Sequence, residues 1–180
     1  MVLASPHTMY ATPDHDEAAR EDFVLEMMVH VSRDLTPGKR KLYDVVVKPK
    51  FEKSFGRAPV NRHEIRHAME QEDFNQVWGA LRRTTQELMF DSIGESVERR
   101  TGDLMERAAG FAKPTNSRRQ GTLDLDPTLE IPRYQTAVDI HCKPGGYHSE
   151  LTRDDLFAGA EYDRSYNLFA MGASGPLNDD

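Results

Sequence analysis

The sequence predicts a mainly α protein of antiparallel helices, with a long linker and one short β segment. Three observations carry this. From Phe74 to Met89, apolar residues recur with a period near 3.6: Phe74, Val77, Trp78, Leu81, Thr85, Leu88 and Met89. Helix-start signals recur at Thr12-Pro13, Thr36-Pro37, Asn61-x-x-Glu64 and Ser92-x-x-Glu95. Strand-like alternation occurs over Tyr134–His141 only, and the turn signal Lys143-Pro144-Gly145-Gly146 follows it.

In chain order, residues 1–12 read as a loose tail and 13–112 as a helical domain. After Thr12-Pro13, with Asp14, Asp16 and Glu17 behind it, Ala19, Phe23, Met27 and Val31 mark one face of a first helix. Val24 and Met28 widen that stripe. Thr36-Pro37 starts a second helix through Leu42, Val45 and Val46, and Pro49 kinks or ends it, because proline lacks an amide donor and clashes with the preceding turn. Gly56 is placed to close the segment beginning at Phe51 as a left-handed cap.

Asn61-x-x-Glu64 has capping-box spacing ahead of Ile65, Ala68 and Met69. The long periodic run follows, with a break expected at Ile93-Gly94 and a further helix through Val97, Thr101, Leu104, Ala108 and Phe111. On this pattern Trp78 belongs to the core, because a large aromatic on an apolar stripe is more often packed than ligand-binding. Residues 113–133 lose all periodicity and hold several prolines, which reads as a linker, with Arg118-Arg119 as solvated surface. Residues 134–180 read as strand, turn and helix. Gly145 is expected to take positive φ in the turn, and Thr152 to cap the helix.

Composition limits the function classes. The net charge of −7 argues against a general nucleic-acid binder, which would show a basic stripe. Mean hydropathy is −0.68 and no apolar run approaches the roughly 20 residues that span a bilayer, so no membrane association is expected. The single cysteine, Cys142, excludes an internal disulfide and suits a reducing, cytoplasmic setting; no signal peptide is legible at the start.

Few residue patterns point to chemistry. Asp139 and His141 share a face of the expected strand, which would allow a carboxylate-oriented histidine to act as a base. His141 with His148 is the pair a small metal-dependent enzyme would use, although neighbouring His141 and Cys142 point to opposite strand faces. His63 and His67 are four apart on a helix, but their charged surroundings read as a solvated face. Neither G-x-x-x-x-G-K-[ST] nor G-x-G-x-x-G is present.

Three segments carry a resemblance: LYDVVVKPKFEKSFGRAPVNRHEIRHAM, VWGALRRTTQELMFDSIGESVER, and YQTAVDIHCKPGGYHSELTRDDLFAGAEYDRSYNLFAMGASGPLNDD. Together they resemble the N-terminal region of class I S-adenosylmethionine-dependent methyltransferases, in which helices precede a Rossmann-like α/β catalytic domain. The resemblance covers about residues 39–180, and DIHCKPGGYH and AGAEYDRSYNLFAMG are its most specific parts. It implies a helical region that caps the catalytic core and shapes the acceptor and cofactor pocket. It implies S-adenosylmethionine as cofactor, a small-molecule methyl acceptor, and a cofactor loop downstream of Asp180. By the same resemblance Tyr162, Asp163, Arg164 and Tyr166 would line the cofactor pocket. The alternatives are a non-catalytic helical interaction module, for instance one that forms a homodimer, and the metal-dependent enzyme using His141 and His148.

Overall fold

The computed structural model describes residues 7–111, 124, 126–146 and 150–173. Most of the linker expected at 113–133, Arg118-Arg119, His148 and the end beyond Ala173 lie outside these. The protein is mainly helical, and no strand occurs among the described residues.

The first helix, α1 (His15–His30), is capped two residues later than Thr12-Pro13 suggests, by Asp14. Asp14 accepts from the amides of Asp16 and Glu17, and the Glu17 carboxylate reaches back to the Asp14 amide, so the capping box is complete. The buried face also differs from the expected one. Glu17, Glu21, Val24, Met28 and Val31 point inward, whereas Phe23 is 62% exposed and Ala19 is exposed. The stripe is rotated because it is completed by two carboxylates rather than by the aromatic.

The chain stays helical from His15 to Phe55, through α2 (Thr36–Leu42) and α3 (Lys48–Phe55). Both prolines expected to start or stop helices are absorbed instead. Each follows a π-helical turn, Val31–Leu35 before Pro37 and Tyr43–Val47 before Pro49. The amides of Thr36 and Lys48 bond five residues back, to Val31 and Tyr43. That wider turn accommodates a ring with no donor of its own. Gly56 ends α3 with φ of +68°, as the sequence predicts.

Helix α4 (Arg62–Met69) is capped by Asn61, which accepts from the His63 and Glu64 amides. Glu64 does not close a capping box. Its carboxylate takes both Arg57 nitrogens and the Val60 amide, and the Arg57 hydrogen bond in particular drives its pKa down to about 2.

Helix α5 (Asp73–Phe111) is a single 39-residue element with no break at Gly94. Its middle forms the core. Met89, Phe90, Ile93, Val97 and Leu104 cluster with Val24 and Met28 of α1, with Ala11, and with Leu168 of α7 (Phe157–Phe169). Helix α7 passes close to Gly94: a Cβ there would meet the Glu161 carboxylate at 3.7 Å, an ordinary contact. At the other end, Gly38 of α2 lies against Phe74, where a Cβ would come within 2.7 Å of the ring.

Three expectations need correction. Trp78 is only half-buried and lines an open cleft, because its helix runs past the core at that point. The tail is anchored from Met9 on rather than loose: Ala11 is 1% exposed, Met9 packs against the core, and Arg107 donates to the carbonyl of the exposed Thr8. The β segment is replaced by a short helix, α6 (Arg133–Thr136), and a 3-10 turn, Ile140–Cys142. Period-two alternation is too weak a signal when no partner strand exists to pair with it.

The rotated face of α1 gives a direct test. Met28→Ala should cost about 2–4 kcal/mol in a denaturant titration, as buried truncations do, and Phe23→Ala should stay within about 0.5 kcal/mol. The reverse ranking would restore the face read from the aromatic.

Candidate functional site

The candidate site is built from α7, the corner at residues 139–146, and the start of the chain. Helix α7 does not begin at Thr152. Asp155 precedes it, and its carboxylate accepts from the amides of Leu151, Thr152 and Phe157. Burial would raise the Asp155 pKa, but those amide bonds outweigh it and the net shift is downward.

Charge is buried on the inner side of α7. Arg164 is 5% exposed and its guanidinium binds both the Glu21 carboxylate of α1 and the Tyr10 hydroxyl. One turn earlier Glu161, 3% exposed, binds the Lys143 ammonium, which is fully enclosed between Phe90 and Phe157. Burial dominates the chemistry of both pairs. It pushes Glu21 up to about 8, reinforced by Glu17 and Asp22, and lowers Arg164 to about 10. It raises Glu161 as well, against the opposing pull of Lys143. Glu21 Oε1 and Arg164 Nε find no hydrogen-bond partner among the described residues, so that pair is held by a single bond.

The corner delivers Lys143. His141 and Cys142 both have left-handed backbone, with φ of 58° and 61°, an arrangement that costs a non-glycine residue about 1–2 kcal/mol. The Cys142 and Lys143 amides bond to the carbonyls of Asp139 and Ile140. The turn read from Pro144-Gly145-Gly146 is present: the Gly146 amide bonds to the Lys143 carbonyl, and Gly145 has φ of +71°.

The expected site residues separate in this frame. Asp139 and His141 are exposed on a 3-10 turn, so the strand spacing that aligned them does not apply. His148 lies outside the described residues. No three His, Cys, Asp or Glu side chains converge as a metal-binding group among the described residues. Of the four residues on α7, Arg164 is committed inward to Glu21 and Tyr10, and Asp163 lies 3.1 Å from His7 Nε2. Tyr162 and Tyr166 do share one flank, with ring centroids 6.5 Å apart. Phe169 is the next residue on that flank, and the His141 ring lies 6.0 Å from it.

The result is an aromatic stripe at i, i+4 and i+7, with a histidine alongside. Such a surface can accept an apolar or cationic group over its ring faces. Sequence reasoning missed Glu21, Lys143 and Glu161. For Glu21 a signal existed, since Glu17 and Glu21 stand in helical register with Val24 and Met28.

No family model, curated protein or solved structure matches this chain.

Two measurements test the site. Arg164→Met removes the only cation bonded to Glu21 among the described residues and should destabilise the protein by about 3–5 kcal/mol. Burial already holds the folded pKa of Glu21 at about 8 with Arg164 present, above the unfolded value of 4.5, and losing that cation does not lower it. The variant is therefore best off below 4.5, and its melting temperature should fall as pH rises from there toward 8. A flat profile would show that Glu21 is solvated. Separately, Gly145→Val should cost about 1–2 kcal/mol, because valine is strained at positive φ.

Proposed function

We propose that this chain is the helical N-terminal region of an S-adenosylmethionine-dependent methyltransferase, capping the catalytic core and shaping its acceptor and cofactor side. Two things support this reading: the sequence resemblance over residues 39–180, and the aromatic flank of α7. The flank carries it. Tyr162 is 53% and Phe169 45% exposed on a helix whose opposite side is locked by two buried ion pairs. Methyl transfer is an in-line displacement at a sulfonium carbon, so the surrounding protein contributes orientation and exclusion of water. Ring faces at the pocket rim suit a cationic sulfonium, worth about 0.5–2 kcal/mol per contact. A small-molecule methyl acceptor would meet the same rim, with His141 beside Phe169.

In the protein as its gene encodes it, the double variant Tyr162→Ala/Phe169→Ala should weaken S-adenosylmethionine binding about tenfold, which is about 1.4 kcal/mol, without lowering the melting temperature. Unchanged binding would remove the stripe from the pocket. The 180-residue chain alone should bind S-adenosylmethionine more weakly than micromolar in calorimetry, and micromolar binding would mean that a cofactor site lies wholly within it.

One observation favours a second reading, the helical interaction module. Between α3 and α4 runs an open groove of about 500 Å³ floored by Val47, Phe51, Phe55 and Ala68, with Phe55 65% exposed. A homodimer formed there would show in sedimentation velocity and be lost in Phe55→Glu.

A further inference from the structure

On the other side of α4 lies a cleft of different character. It has a volume of about 490 Å³ and opens between α2, the π-helical turn after it, α4 and the start of α5. Tyr43, Ile65 and Trp78 give it an apolar lining, and Lys39, Arg62 and Arg66 bring positive charge against one carboxylate, Glu70. This size falls within the range of small-ligand pockets.

The indole is held in place rather than loosely packed. Trp78 Nε1 donates to Thr36 Oγ1 at 3.0 Å, and the Thr36 hydroxyl donates to the Val31 carbonyl at 2.8 Å. The π-helical turn that absorbs Pro37 thus fixes the residue that fixes Trp78.

The cations are under-compensated. Arg66 is paired with Glu70 at 2.7 Å. Lys39 and Arg62 make no ion pair among the described residues. Lys39 rests its ammonium 3.5 Å from the centre of the Trp78 ring, and partial burial lowers its pKa. The excess of cations is local: residues 36–79, which span the cleft, contain nine Lys and Arg against six Asp and Glu, within a chain of net charge −7.

We propose that this cleft binds a small aromatic anion, with its ring against Tyr43, Ile65 and Trp78 and its acid group between Lys39 and Arg62. An ammonium over a ring gains about 0.5–1 kcal/mol at an exposed site. A bound carboxylate or phosphate competes with that contact, and Lys39 leaves the indole for it. Neither flank of α7 is involved, so the proposal stands or falls separately from the methyltransferase reading.

The chain has one tryptophan and it lines the cleft, so its emission reports occupancy directly. The intact chain is titrated with phenylacetate, phenyl phosphate, the neutral 2-phenylethanol and inorganic phosphate. Both aromatic anions should change Trp78 emission saturably, and the tighter of the two identifies the acid group. The alcohol and inorganic phosphate should each bind at least about tenfold more weakly, because each lacks one half of the recognition. Lys39→Gln/Arg62→Gln should lose about tenfold for the anions while leaving the alcohol unchanged. Raising the salt from about 0.05 to 0.5 M should weaken phenylacetate several-fold in the unaltered chain, which needs no variant to fold. The proposal is overturned if the alcohol binds as tightly as phenylacetate, if salt has no effect, or if no titrant gives a saturable change.

Discussion

Two carboxylates at the centre of the bundle, Glu21 and Glu161, can be buried only because Arg164 and Lys143 are buried with them. Removing a charge from water costs several kcal/mol, and only a partner in contact offsets it. The partners are far apart in sequence, so each pair ties distant segments: α1 to α7, and the corner at 139–146 to α7. The pairs also fix which side of α7 faces inward. Glu161, Arg164 and Leu168 form one helical face, and turning the helix by a single position would strand two charges in the apolar core. Tyr162, Tyr166 and Phe169 are exposed to their present degree because that alternative is closed. The outward chemistry of α7 follows from its inward electrostatics.

The same pairs explain much of what the sequence conceals. Helix content, the Gly56 cap and the Pro144-Gly145-Gly146 turn were legible, since each depends on local backbone preferences that a few residues express. The inward face of α1 was not. An apolar-stripe reading favours Phe23 over Glu21, and only the presence of Arg164, more than a hundred residues away, reverses that choice. The strand over Tyr134–His141 failed for a related reason. Alternation marks a half-buried strand, and α6 is exposed at each of Arg133, Tyr134 and Gln135, so there is no buried side for the alternation to report. Within the candidate site, the resemblance named Tyr162 and Tyr166 for a cofactor pocket, and the structure puts the two rings on one flank of α7. The buried role of Arg164 was not legible, because arginine inside an amphipathic helix looks the same in sequence whether it meets water or a buried carboxylate.

Proline shows a different limit. Pro37 and Pro49 are ordinary helix punctuation by residue type, yet the chain continues through both. The cost of the missing donor and the ring clash is met by a π-helical turn immediately before each, which shifts the bonding by one residue. A sequence pattern does not distinguish a helix that ends at proline from one that widens ahead of it. The consequence is spatial. Because the rod from His15 to Phe55 is unbroken, the basic stretch carried by α2 and α3 is held against α4 and the start of α5, where Thr36 reaches Trp78 and Gly38 reaches Phe74.

Helix α5 therefore serves two separate assemblies. Near its start it supports the cationic, aromatic cleft around Trp78. Near Gly94 it receives α7 with its buried ion pairs and outward aromatic flank. Sixteen residues of helix separate Trp78 from Gly94, a rise of about 24 Å. Over that distance charges at the two ends are screened by solvent, and the ends are joined by α5 itself and by the helical rod from His15 to Phe55, which holds Glu21 near one and Thr36 near the other. Substitutions at the two ends share no contact partner, and effects at such spacing add independently. The continuous α5, where the sequence suggested a break at Gly94, is what keeps both assemblies on one rigid axis while leaving their chemistry uncoupled.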